Sequence, residues 1–416
     1  MSRLVIVLFA FILSGSVYGK TAKPTLILLS IDGFAYDYLA KYKPKNILAF
    51  AKSGASAKLL PVYPSKTFPN HLSIITGVYP QKHGIIHNKF YHPNLDEQYR
   101  LGAGKNNSAW LTAKPFWSFA EENNIISAVY FWPESEVKGQ SIQPTYNIPY
   151  NRTDTDETKF NQIISWLKLP EPQAPGFIVG YFSSVDEVGH EFGIDSTELA
   201  QAIANIDDFF GDFIERLQQE ISQSVNIILL SDHGMMQVDK NKNIDLSTVF
   251  SEQVIALIAK KSLIVTKSTT QLFVHFDQEK IKKAEQNKIL QSVLARQKLN
   301  TNLYSVYQKN NYPSHWQFNN NLAITPDFIV EAAPTASFIY NNVSVSSATH
   351  GYDPLNQPEL AAIFFAAGPN IIKGRAVNSV ENIHVVPLMT QLLGLKQLEN
   401  IDGKISKLAP ILQINY

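Results

Sequence analysis

The chain has 416 residues, 45% of them hydrophobic, and its 36 Lys and Arg residues balance its 36 Asp and Glu residues. A net charge of zero argues against a nucleic-acid polymer as the main partner, because such a polymer favours a basic protein face. The chain contains no cysteine, which excludes disulfides, thiolate metal ligands and cysteine nucleophiles.

The first residues have the pattern of a secretory signal. Arg3 supplies positive charge, residues 4–13 are an unbroken apolar run, and small residues precede Lys20. Such a run is too short to cross about 30 Å of hydrocarbon as a helix. We therefore predict a cleaved signal peptide over residues 1–19 and a mature chain that is secreted or periplasmic and has no membrane span. An uncleaved tether is the alternative.

Three apolar, β-branched runs each lead into an aspartate. The runs over residues 25–31, 176–185 and 226–231 lead into Asp32, Asp186 and Asp232. Such runs are typical of strands that are buried on both faces of a parallel sheet. We therefore predict an α/β fold with a largely parallel central sheet flanked by helices. Ligands bind at the carboxyl ends of the strands in such sheets, so the three aspartates are expected at one edge.

The remaining elements follow from periodicity and capping residues. Further strands are predicted over residues 126–132 and 361–366. Helices are predicted over residues 47–53, ended by Gly54; over residues 70–76; and after a capping box formed by Asp195 and Glu198.

Residues of about 240–345 differ from the rest of the chain. They contain shorter apolar runs and a lysine-rich helix near residues 278–298. We predict that they form a smaller subdomain inserted beside the main sheet.

Side chains suited to metal binding follow the predicted strands and two further turns. They are Asp32, Thr67, Asp186, His190, Asp232, His233 and His350. Asp186 and His190 are four residues apart and would share one helix face. Three carboxylates, three imidazoles and one hydroxyl have the composition of a paired divalent metal site. Zinc suits these ligands best, with manganese and iron as alternatives on ligand type.

Thr67 stands just before a predicted helix, where free backbone N–H groups favour an anion. A hydroxyl bound to a divalent cation loses its proton more easily and becomes a nucleophile near neutral pH. Each of these motifs alone is more often a surface pair, a helix cap or a loop residue. Their joint occurrence at strand ends favours a metal site. The remaining histidines, among them His71, His83 and His87, are predicted to be structural.

The motifs Y-P-S-K-T-F-P-N-H, F-W-P-E-S-E-V, G-H-E-F-G-I-D-S, L-L-S-D-H-G-M and T-H-G-Y-D-P occur in this order. Through them the chain resembles the nucleotide pyrophosphatase/phosphodiesterase family of the alkaline phosphatase superfamily. The resemblance implies an alkaline-phosphatase-like core, a phosphodiesterase catalytic domain over residues 20–416, and two Zn²⁺ ions per chain. One zinc ion would be held by Asp186, His190 and His350. The other would be held by Asp32, Asp232 and His233, with Thr67 between them.

The resemblance also implies roles around the metals. Asn88 would donate a hydrogen bond to a phosphate oxygen, Phe68 would stack on a nucleobase, and Tyr146 would face Phe68 across the base. Thr67 would attack phosphorus, giving a threonyl-phosphate ester that water then releases. No arginine lies within the metal-ligand stretches, and this favours a phosphodiester over a monoester with its double charge.

Three functions are compatible with these features. The first is hydrolysis of phosphodiester or pyrophosphate bonds in small extracytoplasmic nucleotides. The second is the same chemistry on a phosphonate, a phosphomonoester or a choline-bearing lipid headgroup. The third is a non-catalytic binding protein, but its expected sign, loss of a ligand or of the nucleophile, is absent. The sequence gives no indication of the oligomeric state.

Overall fold

The computed structural model describes residues 23–137, 142–318, 323–340 and 345–413, so the predicted signal peptide lies outside the described residues. In chain order the strands are β1 (Thr25–Ile31), β2 (Ala55–Leu60), β3 (Phe90–His92), β4 (Glu97–Tyr99), β5 (Ser127–Tyr130), β6 (Tyr146–Ile148), β7 (Phe177–Phe182), β8 (Val225–Leu230), β9 (Met236–Gln237), β10 (Asn243–Ile244), β11 (Leu263–Lys267), β12 (Gln271–Phe276), β13 (Tyr304–Gln308), β14 (Phe328–Ala332), β15 (Ser337–Phe338), β16 (Ala348–Thr349), β17 (Ala362–Ala367), β18 (Arg375–Ala376) and β19 (Val380–Glu381).

The helices lie between and around these strands. They are α1 (Tyr38–Lys41), α2 (Lys45–Ser53), α3 (Thr67–Thr76), α4 (Pro80–His83), α5 (Phe116–Glu122), α6 (Asp156–Leu167), α7 (Ser184–Phe192), α8 (Thr197–Glu220), α9 (Leu246–Val249), α10 (Glu252–Ala259), α11 (Lys283–Leu299) and α12 (Val385–Leu392). Within the described part of the chain, none of them is long and apolar enough to cross a membrane.

The central sheet has the strand order β18-β2-β17-β8-β1-β7-β5-β6, and β19 also pairs with β2. The strands β8, β1, β7, β5 and β6 run parallel to one another, whereas β17 is antiparallel to both β8 and β2. Helices cover both faces. The predicted α/β class with a largely parallel sheet is confirmed.

Burial on both faces explains why β1 reads as a continuous apolar run. Leu26 and Leu28 pack into the core on one face, and Ile27 and Leu29 pack into the core on the other. Full burial of each such side chain contributes about 1.5–3 kcal/mol. The strand is therefore fixed at the centre of the sheet, and its carboxyl end is a rigid support for Asp32.

A second sheet lies in the segment between β8 and β17. Its strands are antiparallel in the order β11-β12-β14-β13, and they share a hydrophobic core with α11 through residues such as Leu272, Val274, Val330 and Val293. These elements fall within the range predicted to be an insertion, residues of about 240–345. The division of the chain into a core and a subdomain stays a prediction.

The element boundaries differ from the predictions by a few residues. β1 matches residues 25–31, and β8 and β17 are each displaced by one residue. β5 ends at Tyr130, two residues early, because Phe131 adopts a φ of 46°, which is incompatible with a strand. Helix α3 begins at Thr67 rather than at Asn70.

One of the two capping predictions is confirmed and the other was wrong. Gly54 ends α2 as its C-cap, although its φ of −137° is not left-handed; a Cβ at this position would lie 2.0 Å from Ala366 O of β17. The glycine is therefore required by a close approach of two backbones. Helix α8 is capped by Ser196, whose Oγ accepts from Leu199 N at 3.1 Å. Asp195 forms an ion pair with Lys41 instead.

Candidate active site

The topology brings the three predicted aspartates together. β8, β1 and β7 are adjacent and parallel, so their carboxyl ends share one edge of the sheet. Asp32 follows β1, Asp232 follows β8 by two residues, and Asp186 lies in the first turn of α7 just after β7. His350 reaches the same edge because β16 pairs with β9, which follows β8.

Thr67 is the first residue of α3, with its Oγ1 3.4 Å from His233 Nε2. The next residue, Phe68, donates its N–H to Asn88 Oδ1 at 2.9 Å. Because a carboxamide that accepts through Oδ1 keeps its NH₂ group available, Asn88 can donate to a group beside Thr67. The positive end of the α3 dipole favours negative charge at the same position.

Two groups of side chains could each hold a metal ion, and His233 belongs to both. In each group the ligand atoms lie within 4.8 Å of one another; the groups are Asp32, Asp232 and His233, and Asp186, His233 and His350. His233 Nε2 lies 3.0 Å from Asp232 Oδ2 and 3.5 Å from Asp32 Oδ1.

The second group differs from the expected ligand set by one imidazole. His350 Nε2 lies 3.6 Å from Asp186 Oδ1, and His190 Nε2 lies 3.5 Å from Asp186 Oδ2. His190 is therefore next to the group, with its ring 5.0 Å from that of His350. The rings of His233 and His350 are stacked at 3.6 Å, which places His233 between the two groups.

Each of the three aspartates has a carboxylate oxygen without a hydrogen-bond partner in the described structure, as expected for a ligand of a divalent cation. Asp32 Oδ1, Asp186 Oδ1 and Asp232 Oδ2 are buried and accept no hydrogen bond from the described residues. An unpaired buried carboxylate oxygen is costly unless a cation or a donor satisfies it. The structure therefore leaves at least one free acceptor on each aspartate, facing the other ligands.

The three imidazoles are oriented as metal ligands usually are. Each one bonds a backbone carbonyl through Nδ1: His190 with Ala348 O, His233 with Gly234 O, and His350 with Ser65 O, at 2.7–3.0 Å. A carbonyl can only accept, so Nδ1 carries the proton and the Nε2 lone pair is left for a metal.

The electrostatics of the site also favour added positive charge. Burial, and then the negative charges of Asp232 and Asp186, raises the pKa of Asp32 well above its usual range. Burial also opposes ionisation of Asp232, but His233 and His71, when protonated, hold the pKa of that carboxyl well below its usual range. Divalent cations would relieve the repulsion among the three carboxylates.

Several further residues support the site; Tyr181 and Lys66 were not recognised in the sequence, whereas His71 was predicted to be structural. Tyr181 Oη donates to Asp32 Oδ2 at 2.5 Å, and Lys66 Nζ donates to His350 O at 2.5 Å. His71 bonds Ser30 Oγ through Nε2 and Thr67 O through Nδ1, each at 2.9 Å. All lie on core-facing positions, where an apolar or polar pattern alone does not distinguish packing from support of a site.

The structure does not place Tyr146 opposite Phe68. Tyr146 begins β6 and packs near Trp166, whereas Phe68 packs into the core on the other face of the sheet. β6 runs parallel to β5, so its carboxyl end faces the site edge and its first residue lies away from it. Tyr150, beyond that end, has its ring 4.8 Å from Phe131 and is 43% exposed.

Phe68 lines a small pocket beside Thr67. Phe131, Lys105, Glu134 and Glu136 contribute to the same pocket, and Lys105 Nζ pairs with Glu136 Oε1 at 2.6 Å. The Phe68 ring therefore adjoins a cluster of charged side chains. A cavity of about 960 Å³ lies elsewhere, between the β3–β4 hairpin and the second sheet, and none of the predicted site residues lines it.

Three aspartates, three histidines and Thr67, which begins α3, thus lie together at one edge of the sheet. They form a candidate metal centre. A family model described as type I phosphodiesterase / nucleotide pyrophosphatase matches residues 26–353, and the chain belongs to this family.

Relatives support the assignment over most of the chain. An uncharacterized pyrophosphatase/phosphodiesterase of Schizosaccharomyces pombe is 33% identical over 388 residues, which cover 90% of this chain and 78% of that protein. The venom phosphodiesterase of Macrovipera lebetinus is 34% identical over 384 residues, again 90% of this chain but only 44% of the relative. The chain thus spans less than half the length of the venom protein.

A solved structure has the same fold. Murine ectonucleotide pyrophosphatase/phosphodiesterase 5 superposes with a TM-score of 0.83 at 23% identity, covering 94% of this chain and 100% of that one. A second structure of the murine protein is an inactive threonine-to-alanine variant in complex with AMP. The predicted alkaline-phosphatase-like core is confirmed by this likeness.

Proposed function

We propose that the chain is a two-metal hydrolase that cleaves phosphodiester or pyrophosphate bonds of small nucleotides. The observation that carries the proposal is the pair of buried ligand groups sharing His233, with Thr67 Oγ1 3.4 Å from His233 Nε2. Membership of the family supports phosphodiester hydrolysis. The AMP complex of the murine relative supports a nucleotide substrate.

The proposed cofactor is two Zn²⁺ ions per chain. Asp32, Asp232 and His233 would hold one ion, and Asp186, His190 and His350 would hold the other. Bound zinc supplies positive charge that lowers the pKa of a hydroxyl group and stabilises negative charge on phosphate oxygens. Imidazole and carboxylate are ordinary zinc ligands, and the unpaired oxygens and free Nε2 atoms fit this assignment.

Thr67 is the proposed nucleophile. Its Oγ1 forms a bond to phosphorus while the bond from phosphorus to the leaving oxygen breaks, giving a threonyl-phosphate ester. Water then attacks phosphorus, releases the phosphorylated product and returns the hydroxyl to Thr67. Asn88 holds the first turn of α3 through Phe68 N and donates to a non-bridging phosphate oxygen. This hydrogen bond strengthens as negative charge develops on that oxygen.

The proposed place of action is outside the cytoplasm. The apolar run over residues 4–13 supports a signal peptide over residues 1–19. Relatives with the names venom phosphodiesterase and ectonucleotide pyrophosphatase/phosphodiesterase support the same location. Export from a bacterial host, followed by N-terminal sequencing that begins at Lys20, would test it.

A substrate panel on zinc-loaded protein tests the function. The arms are a nitrophenyl nucleotide diester, nitrophenyl phosphate, a nitrophenyl phosphonate and a phosphocholine diester. We expect the nucleotide diester to have the highest kcat/KM. If another of these substrates is hydrolysed faster, the proposed substrate class changes from nucleotides to that class. If none of them is hydrolysed, a catalytic role is contradicted.

The Phe68 ring provides the test of base recognition. Stacking of an aromatic side chain on a base contributes about 1–3 kcal/mol. Phe68→Ala should therefore lower kcat/KM for nucleotide diesters about ten- to a hundred-fold, and should change hydrolysis of a base-free diester far less. Tyr146→Ala, which removes a ring on the other face of the sheet, is the matched control and should leave the ratio unchanged. Equal losses on both substrates for Phe68→Ala would indicate that this ring only packs the loop.

A further inference from the structure

The buried carboxylate of Glu331 on β14 connects two loops of the candidate site. Tyr63 Oη donates to Glu331 Oε2 at 2.7 Å, and the backbone N–H of Asp353 donates to Glu331 Oε1 at 3.0 Å. Tyr63 lies four residues before Thr67, and Asp353 lies three residues after His350. One side chain of the second sheet thus binds both the loop that leads to Thr67 and the loop that follows His350.

Gln271, on the neighbouring strand β12, strengthens this connection. Its Nε2 donates to Glu331 Oε1 at 3.2 Å and also to Gly351 O, next to His350. Its Oε1 accepts from Thr270 Oγ1 at 2.6 Å, which fixes the orientation of the amide. Gln271 is 1% exposed, so these bonds are formed away from water.

Trp316 and His315 hold the same two loops from another side. The Trp316 ring stacks on Tyr63 with centroids 3.7 Å apart and planes 3° from parallel. Trp316 Nε1 donates to Asp353 Oδ2 at 2.8 Å, and His315 Nε2 lies 2.9 Å from Asp353 Oδ1. Glu331 and Trp316 thus contact Tyr63, and the same two side chains together with His315 contact Asp353.

The two loops also contact each other directly beside the ligands. Ser65 O bonds His350 Nδ1 at 2.7 Å, and Ser65 Oγ accepts from Gly351 N at 3.0 Å. Ser65 Oγ in turn donates to Tyr352 O at 2.8 Å. A shift of either loop would therefore change the position of the His350 ring relative to Thr67.

We propose that Glu331 is a positioning residue for the reaction: with Gln271 and Trp316 it holds the Thr67 and His350 loops in their working arrangement. We refer to Glu331, Gln271 and Trp316 together as the clamp. The second sheet, which carries Glu331 and Gln271, thereby takes part in catalysis without touching the substrate. The proposal rests on the proposed function, since the arrangement of Thr67 and His350 matters only if this site is catalytic.

Turnover in such a site depends strongly on the exact positions of the reacting side chains. A misplacement of about 1 Å by a distant change can lower turnover about a hundred-fold. A buried carboxylate is also an expensive way to fill space, because an apolar residue of similar size avoids the loss of hydration. A role in positioning explains why both loops donate to one carboxylate.

Glu331→Leu and Glu331→Gln separate positioning from simple packing. Leucine fills the space but accepts no hydrogen bond. Glutamine can accept from Gln271 and Asp353 N–H through its carbonyl oxygen and can donate to Tyr63 Oη through its amide. We expect Glu331→Leu to lower kcat about a hundred-fold with KM changed less than about threefold, and Glu331→Gln to stay within about tenfold of the wild type. Melting temperature and zinc content are measured for every variant.

Glu381→Leu is the matched control. Glu381 also accepts from a tyrosine, with Tyr79 Oη at 3.0 Å, but among the described residues its carboxylate forms no hydrogen bond with either loop. We expect this variant to keep wild-type kcat whatever its melting temperature. If Glu331→Leu keeps wild-type kcat, or if kcat falls only in proportion to the folded fraction, the clamp has no positioning role.

Tyr63→Phe covers the case in which Glu331→Leu does not fold. It removes one hydroxyl and keeps the stacking on Trp316, so the fold should survive while kcat falls about tenfold. In the double variant with Glu331→Gln the losses should be less than additive, because both changes affect the same bond. Wild-type kcat in Tyr63→Phe would contradict the proposal. A wild-type protein that hydrolyses no substrate would instead contradict the proposed function itself.

Discussion

His233 is the residue on which the geometry of the candidate centre depends most. Its Nε2 lies within reach of Asp32 and Asp232, and its ring stacks on His350, so it belongs to both ligand groups. The Nδ1 bond to Gly234 O fixes its tautomer. The family resemblance implied that His233 holds one metal only, and its adjacency to Asp232 in the sequence indicates a shared turn but not the direction in which the ring points.

Thr67 should be required for turnover but not for metal binding. Thr67→Ala removes the proposed nucleophile and leaves six other ligand side chains, so zinc content should remain close to that of the wild type while kcat falls by about 10³-fold or more. Thr67→Ser keeps a hydroxyl and should retain part of the activity. Metal analysis and steady-state kinetics on the same preparations measure both quantities. Near-normal turnover in Thr67→Ala would instead favour direct attack by water.

The position of Phe68 could be predicted from the sequence, whereas that of Tyr146 could not. Phe68 could be placed beside Thr67 because the two are adjacent. Tyr146 could not be placed, because its position depends on which end of β6 faces the site, and that end is set by parallel pairing with β5. The motif P-T-Y-N-I-P-Y contains two tyrosines. Only the strand direction distinguishes Tyr146 from Tyr150.

At the scale of elements, strand ends were the most predictable feature. β1, β7 and β8 are recognisable because their residues are apolar on both faces of the strand. If these strands are parallel, the aspartates that follow them lie at one edge of the sheet. The start of α3 was less predictable because Pro69 suggests a loop, although proline is well tolerated in the first turn of a helix. Its position at the third residue of α3 explains why the helix extends back to Thr67.

The β14 strand carries a pH-sensitive group in Glu331. Burial raises the pKa of Glu331 to about 8, against its ordinary value of 4.5, despite the hydrogen bond from Tyr63. Between these pH values the unfolded chain binds fewer protons than the folded one, so the free energy of unfolding falls as pH rises. The contribution of Glu331 to the free energy of unfolding is therefore smaller at pH 8 than at pH 5.

Glu331→Gln should remove this pH dependence. Relative to the variant, the free energy of unfolding of the wild type should fall by about 1 kcal/mol for each pH unit between pH 5 and pH 8. Urea unfolding of metal-free protein at several pH values measures the difference, and the metal ligands contribute equally to both proteins. Parallel curves for the two proteins would mean that Glu331 ionises at its ordinary pH in the folded state.

At the scale of the whole molecule, the sequence indicated the parts but not all of their pairings. The α/β class and the compositional change near residue 240 follow from local patterns. The antiparallel insertion of β17 between β2 and β8, and the β11-β12-β14-β13 order, do not. Strand preference depends on cross-strand neighbours, and these neighbours lie far apart in the sequence. The clamp was unrecognisable for the same reason.

The metal ions should stabilise the entire fold, because their ligands join β1, β7 and β8 to the loop that follows β16. An ion that binds only the folded chain stabilises it by about 2.7 kcal/mol at a hundred times its Kd. Its removal also leaves the carboxyl groups of Asp32, Asp186 and Asp232 close together without the positive charge of the metal. A chelator should therefore lower the melting temperature by at least about 5 °C, and zinc should restore it.

Two variants make this last prediction specific to the ligand groups. Thr67→Ala keeps six ligands and should show the same chelator-induced shift as the wild type. Asp232→Asn weakens a ligand in the group formed with Asp32 and His233. It should reduce the chelator-induced fall in melting temperature, because less zinc is bound before the chelator is added. Scanning calorimetry with parallel metal analysis measures both the melting temperature and the zinc content, which should be about two equivalents in the untreated wild type. An unchanged melting temperature after complete removal of zinc would show that these carboxylates tolerate burial without a cation, and would remove the electrostatic argument for a dinuclear site.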